Sequence, residues 1–169
     1  MNDGLAIRRA RPADAAALVE LAQAVAEEPE AWLAAERAWR SAGEERRYLR
    51  TLARYPHAAV LVAEFDGRVV ARLSLARDPH PASAHVADLG LMVAAPYRRL
   101  GIGRALLDAA VDWARGADVR KLELHVFPHN QPALALYEQF GFEREGVRKG
   151  QYKRGGRYLD AILMAYTVE

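Results

Sequence analysis

The sequence has no cysteine, which excludes disulfides, thiolate metal sites and a cysteine nucleophile and leaves a cytoplasmic setting as the expectation. No segment approaches the roughly 18 consecutive apolar residues that a membrane span requires. The N-terminus, MNDGLAIRRARPADAAAL, also lacks an apolar run of signal-peptide length. The expectation is a soluble, unprocessed chain with no membrane partner. A dominant charge is missing too: 24 basic residues stand against 22 acidic ones, a formal net charge of +2, which leaves no footprint of a nucleic-acid binder. The five histidines, at positions 57, 80, 85, 125 and 129, show no metal-ligand spacing, so no metal is expected. With no repeats, low-complexity tracts or linkers, the 169 residues, 51% hydrophobic, read as one domain, 1–169, able to bury a real core.

What is present follows the periods of strands and helices. Residues 5–10 (LAIRRA) fit a short strand, and Pro12 and Asp14 open a helix whose apolar positions Leu18, Leu21, Ala22 and Val25 repeat every 3.6 residues. From Glu27 to Tyr55 the chain is rich in Ala, Glu and Arg. Trp32 and Trp39 stand seven apart, which predicts one or two more helices broken near Pro29 and Gly43. AAVLVAEFDGRVVARLSLA holds two strand-forming runs joined by Asp66-Gly67, a hairpin signal because both turn residues tolerate positive φ. AHVADLGLMV continues as a third strand.

A helix from about residue 103 to 115 then places Leu106, Leu107, Ala110, Val111 and Ala114 on one face, to be packed on a sheet. KLELHVF reads as a buried strand. HNQPALALYEQFGF reads as a helix with Asn130 as N-cap, Pro132 in its first turn and Gly141 as its stop. The chain closes with two strands joined around Gly155-Gly156. This order predicts an α/β (α+β) domain with a single mixed, mostly antiparallel sheet flanked by helices.

One stretch carries chemistry. PYRRLGIGRALLDAAVDWA, residues 96–114, puts a glycine turn between a strand and a helix N-terminus, whose unpaired N–H groups and partial positive charge attract anions. Gly101 and Gly103 allow close backbone approach, and Arg98, Arg99 and Arg104 add donors for phosphate oxygens. A Walker A loop needs glycines five apart followed by Lys and Ser or Thr, which are absent. A dinucleotide fingerprint wants a small residue where Leu106 stands and a βαβ unit where this chain has hairpins. A plain glycine turn with solvated arginines is the structural alternative.

The run Arg98-x-x-Gly101-x-Gly103 resembles the acetyl-CoA signature of the GNAT (Gcn5-related N-acetyltransferase) family. LGLMVAAPYRRLGIGRALLDAAVDWA is similar to that family's strand, loop and helix, NQPALALYEQFGF to its second block, and GRYLDAILMAY to the last strand of many bacterial members. The resemblance covers the second half of the chain; the first half agrees in element order only. It implies the GNAT acyl-CoA N-acyltransferase fold and transfer of an acetyl group from acetyl-CoA to a primary amine by direct attack in a ternary complex. Small enzymes that acetylate free amino acids and related metabolites are the best match. The alternatives are a ribosomal-protein-type N-terminal acetyltransferase and a non-catalytic acyl-CoA sensor.

The same resemblance assigns roles. It implies a strand bulge near Leu89 and Gly90 that splays this strand from the next one, with Leu91 and Val93 offering backbone groups to pantetheine in the gap and a backbone N–H near Leu91 or Met92 stabilising the oxyanion. Ile102 belongs to the pyrophosphate loop with its neighbours Gly101 and Gly103. The Asn130 amide reaches the pantetheine arm beside Ala133, and Tyr137 protonates the departing thiolate. His125 occupies a position where some relatives carry a carboxylate base, while Asp88 and His85, three apart and so on opposite faces of a regular strand, are the other acid–base candidates. Each has a structural alternative as well: Asn130 as N-cap, Tyr137 as core aromatic, His125 as a satisfied strand histidine. Asp160 and Tyr152 are placed on the acceptor side. A strand edge near the C-terminus offers a surface for a homodimer.

Overall fold

The computed structural model describes residues 4–38 and 40–169. Seven strands form one sheet in the order β1-β2-β3-β4-β5-β7-β6, with β1 at Leu5–Arg9, β2 at Ala58–Phe65, β3 at Arg68–Arg77, β4 at Val86–Val93, β5 at Lys121–Val126, β6 at Glu143–Arg154 and β7 at Arg157–Thr167. Only β4 and β5 pair in parallel; the other neighbours are antiparallel. Local chemistry sets the two terminal hairpins. Asp66 and Gly67 take φ of 49° and 77°, and Gly155 and Gly156 take 54° and 77°, the paired left-handed turn that matches strand twist.

Helices cover both faces. α1 (Ala15–Ala26) and α2 (Ala42–Leu52) seat Ala15, Leu18 and Leu49 against Val60 and Val62. α3 (Ile102–Gly116) and α4 (Gln131–Phe140) bury Leu106, Leu107, Ala110 and Leu134 with Leu73, Leu75, Leu89, Leu122 and Leu124. The apolar face expected of α3 is therefore the one that meets the sheet.

Two expectations are corrected. Among the described residues of 27–55 there is one helix, α2, within the one or two expected, but Gly43 lies in its first turn rather than at a break. Ser41 caps that helix by accepting from the Glu44 N–H while Glu44 accepts from the Ser41 N–H, a capping box that outweighs the glycine. Residues 27–38 are irregular, and Trp39 lies outside the described residues. The bulge expected near Leu89 and Gly90 is not there, because β3 and β4 stay in register from Ala71↔Val93 to Arg77↔Ala87. The splay of β4 from the next strand, β5, is present without it. The β4–β5 pairing spans only Val86–Asp88 against Lys121–Glu123, after which the strands diverge.

Candidate active site

The divergence of β4 from β5 leaves backbone groups without a strand partner, and alternation decides which. The Ala94 N–H donates to the Val70 carbonyl at 2.9 Å, so Met92 and Gly90 also face β3, whereas Leu91 and Val93 face the opening. Of the two oxyanion donors expected, this leaves Leu91. A cavity of about 410 Å³ begins at these residues and runs to the N-terminus of α3. Every cofactor-binding residue expected from the sequence lines it: Leu91, Met92, Val93, Arg98, Arg99, Gly101, Ile102, Gly103, Arg104, Asn130, Ala133 and Tyr137.

The loop reaches this geometry through backbone conformations glycine tolerates. Gly101, the N-cap of α3, has φ of 80°, and Arg99 is itself left-handed at 64°. Gly103 serves packing instead: a Cβ there would meet Leu136 Cδ2 at 2.8 Å. The arginines differ in their partners. Arg98 closes its guanidinium fork on Glu28 at 2.6 and 2.7 Å and donates Nε to the Val93 carbonyl at 2.9 Å. It was expected to meet phosphate; its donors instead lock a carboxylate from 70 residues upstream. Arg99 is exposed, and Arg104 lies over the Phe140 ring at 5.5 Å, so these two retain charge for an anion.

Glu28 belongs to a segment whose path has no local signal in its residues. Residues 27–38 contribute Trp32 and Leu33 to the cavity wall. Trp32 donates to Glu28 at 2.9 Å and stacks on His129, which stacks in turn on Phe127. The far end is held by Arg154, which donates to the carbonyls of Ala26, Leu33 and Ala35 at 2.7 to 3.1 Å.

α4 carries Asn130 and Tyr137. Asn130 caps it, its side-chain oxygen accepting from the Ala133 N–H at 3.2 Å. The cap and cavity positions are compatible, since the amide nitrogen of Asn130 is not used in that bond. Tyr137 is 6% exposed and borders the cavity. Burial pushes its phenol well above the ordinary tyrosine range, so it stays protonated.

The remaining acid–base candidates gather on the other face of the sheet. Asp88 stands opposite Glu123 in the short parallel pair, and His125 lies one alternation further along β5. His125 Nδ1 is 3.0 Å from the Tyr152 hydroxyl. Asp88 remains solvent-accessible but is surrounded by protein atoms. Loss of hydration, aided by the Glu123 charge and opposed by Arg148, pushes it up to about 6. The same loss of hydration, with Arg148, lowers His125, and Glu123 opposes. His85 is not with them: it sits in the turn before β4, exposed, with its carbonyl accepting from Arg120 and Lys121. Asp160 is engaged too, accepting from Lys149 Nζ at 3.1 Å and the Gly150 N–H at 2.8 Å. The slit between β4 and β5 thus separates a cavity containing a neutral phenol from a face containing a lowered imidazole and two carboxylates. Such an arrangement can hold an extended anionic ligand on one side and take a proton on the other.

Comparison with known proteins agrees with this geometry. A model described as "Acetyltransferase (GNAT) family" matches residues 18–142. The L-amino acid N-acetyltransferase AaaT of Escherichia coli (strain K12) is 38% identical over 118 residues, 68% of this chain and 71% of AaaT. The solved ribosomal-protein-alanine N-acetyltransferase from Brucella melitensis is 30% identical, with a TM-score of 0.84 over 96% of this chain and 99% of that one. The structure of yncA from Salmonella typhimurium, solved with acetyl-CoA, has a TM-score of 0.87 at 21% identity over 99% of this chain and 95% of that one, a likeness of fold.

Proposed function

Because this chain belongs to the GNAT acetyltransferase family and is an acetyl-CoA-dependent N-acetyltransferase, we propose that its acceptor is the amine of a free amino acid, acetylated by direct attack in a ternary complex. The acceptor class is supported by the likeness to AaaT. The observation that carries the reading is the divergence of β4 from β5, which lies between the cavity bounded by Tyr137 and the face holding Asp88 and His125.

The residues of the cavity fit the donor. Unpaired N–H groups at the start of α3, with Arg99 and Arg104, receive the pyrophosphate. Leu91 and Val93 present backbone groups to the pantetheine arm, with the Asn130 amide nearby. Bound there, acetyl-CoA supplies a thioester carbonyl as electrophile. The Leu91 N–H donates to the carbonyl oxygen as negative charge develops on it. On the opposite face Asp88 offsets the charge of the incoming ammonium, and neutral His125 takes its proton, directly or through water. Tyr137, held neutral by burial, gives its proton to the departing thiolate.

The test is release of CoA thiol across the standard L-amino acids, their amides and N-terminal peptides, with Tyr137→Phe run in parallel. Turnover of free amino acids is expected. Tyr137→Phe is expected to lower kcat by about 10²-fold, in line with general-acid contributions, while the acetyl-CoA Kd stays within about twofold. Turnover confined to peptides would replace the acceptor class, and an unchanged kcat would remove the acid.

A further inference from the structure

We propose that Arg148 determines acceptor specificity by anchoring the α-carboxylate of the amino acid, an inference that rests on the acceptor class proposed above. The sheet register puts the groups together. Asp88 pairs with Glu123, His125 with Leu163, Leu163 with Gly146, and Ala161 with Arg148. Side chains alternate along a strand, so Asp88, His125 and Arg148 project from one face. Between β5 and β6 lies only β7, which contributes the small side chain of Ala161 beneath Arg148.

A built irregularity fixes Arg148 there. The β6–β7 register shifts between Arg148 and Tyr152, which pair with Ala161 and Leu159, so residues 149–151 bulge opposite Asp160 alone. Gly150 enters the left-handed region at φ of 58°, and Asp160 accepts from Gly150 and Lys149 to hold the bulge. Arg148 and Tyr152, four apart, share a face by alternation, and the bulge brings them closer along the strand, opposite Ala161 and Leu159, which are two residues apart. The charge of Arg148 is felt at Asp88, His125 and Tyr152 alike.

The other cations around this face are engaged. Arg72 donates to Glu45 and Ser74, Arg154 to three carbonyls of residues 26–35, and Lys121 to Glu145. Among the described residues, nothing ties Arg148 by hydrogen bond or ion pair. A free amino acid carries an ammonium and a carboxylate on one carbon. The face presents carboxylates for the first and an untied guanidinium for the second, whose planar fork suits a carboxylate. A peptide N-terminus has an amide carbonyl where the free acid has its carboxylate, so the same arginine disfavours peptides.

Steady-state kinetics on an L-amino acid that the enzyme accepts and on its α-carboxamide test this, using wild type, Arg148→Met and Arg148→Lys. Wild type is expected to prefer the free acid at least tenfold in kcat/KM. Arg148→Met should abolish that preference by raising KM for the acid at least tenfold, with a much smaller change in kcat/KM for the carboxamide and no change in the thermal shift given by acetyl-CoA. Arg148→Lys should recover part of the preference. Equal losses on acid and carboxamide, or no loss on either, overturn the assignment of Arg148 and leave the acceptor class standing. A wild type that binds acetyl-CoA and acetylates no free amino acid overturns both.

Discussion

At Asp88, lost hydration and the neighbouring Glu123 carboxylate push the side chain up to about 6, against the pull of Arg148. An unfolded aspartate titrates near 3.9. Between those values the native chain holds a proton that the unfolded chain has released, so stability falls as pH rises through this window and the cost is complete above about 6. Asp88→Asn is therefore expected to raise Tm at pH 7.5 and to leave it unchanged at pH 4, as read by thermal denaturation at both values. His125 works in the opposite sense. Its lowered value leaves it neutral at pH 7, and it costs stability only when acid forces it to charge. Both residues were legible in the sequence as candidates. Their grouping was not, because it depends on a three-residue strand pairing between chain segments more than 30 residues apart.

The loop from β4 to α3 shows how far an element can be read locally. Gly101 was recognised as a turn glycine, and its φ of 80° is the reason a side chain is disfavoured there. Gly101→Ala adds a Cβ that meets nothing within 4 Å, so the penalty is conformational alone. It is expected to cost about 1–2 kcal/mol of stability, measurable by urea denaturation. It should also weaken acetyl-CoA binding by tilting the N–H groups of α3. Gly103, identical in residue type, answers to a different constraint, the approach of Leu136 from α4. The segment at 27–38 forms no regular helix or strand. Its order comes from tertiary ties, Glu28 to Arg98 and Arg154 to three carbonyls, and none of these partners lies within 25 residues of its counterpart.

Across the whole molecule α2 is tied to the sheet by a buried charge pair. Glu45 of α2, 2% exposed, accepts from Arg72 of β3, 4% exposed, at 2.7 Å, and also meets Arg40 at 3.0 Å. Arg72 is registered with Met92 on β4, so this pair joins α2 to the strand that borders the cavity. Glu45→Ala leaves a buried guanidinium without its carboxylate, which is expected to cost about 3–5 kcal/mol, again read by urea denaturation. Replacing both partners with apolar residues should cost less than this single change.

The sequence by itself determined the element order, the hairpin turns, the caps of α4 and the family's cofactor loop. Each of these follows from contacts within a few residues, from a hydrophobic period or from a local motif. Every cofactor-binding residue it named lines the cavity, because those residues come from two contiguous blocks. Tertiary structure decided the rest: that Arg98 grips the Glu28 carboxylate, that β4 leaves β5 without a bulge in its pairing with β3, and that Arg148 joins His125 and Asp88 on one face. Those outcomes depend on which strands become neighbours and at what register. Pairing energies shared between distant segments set both, and no short window of sequence contains them.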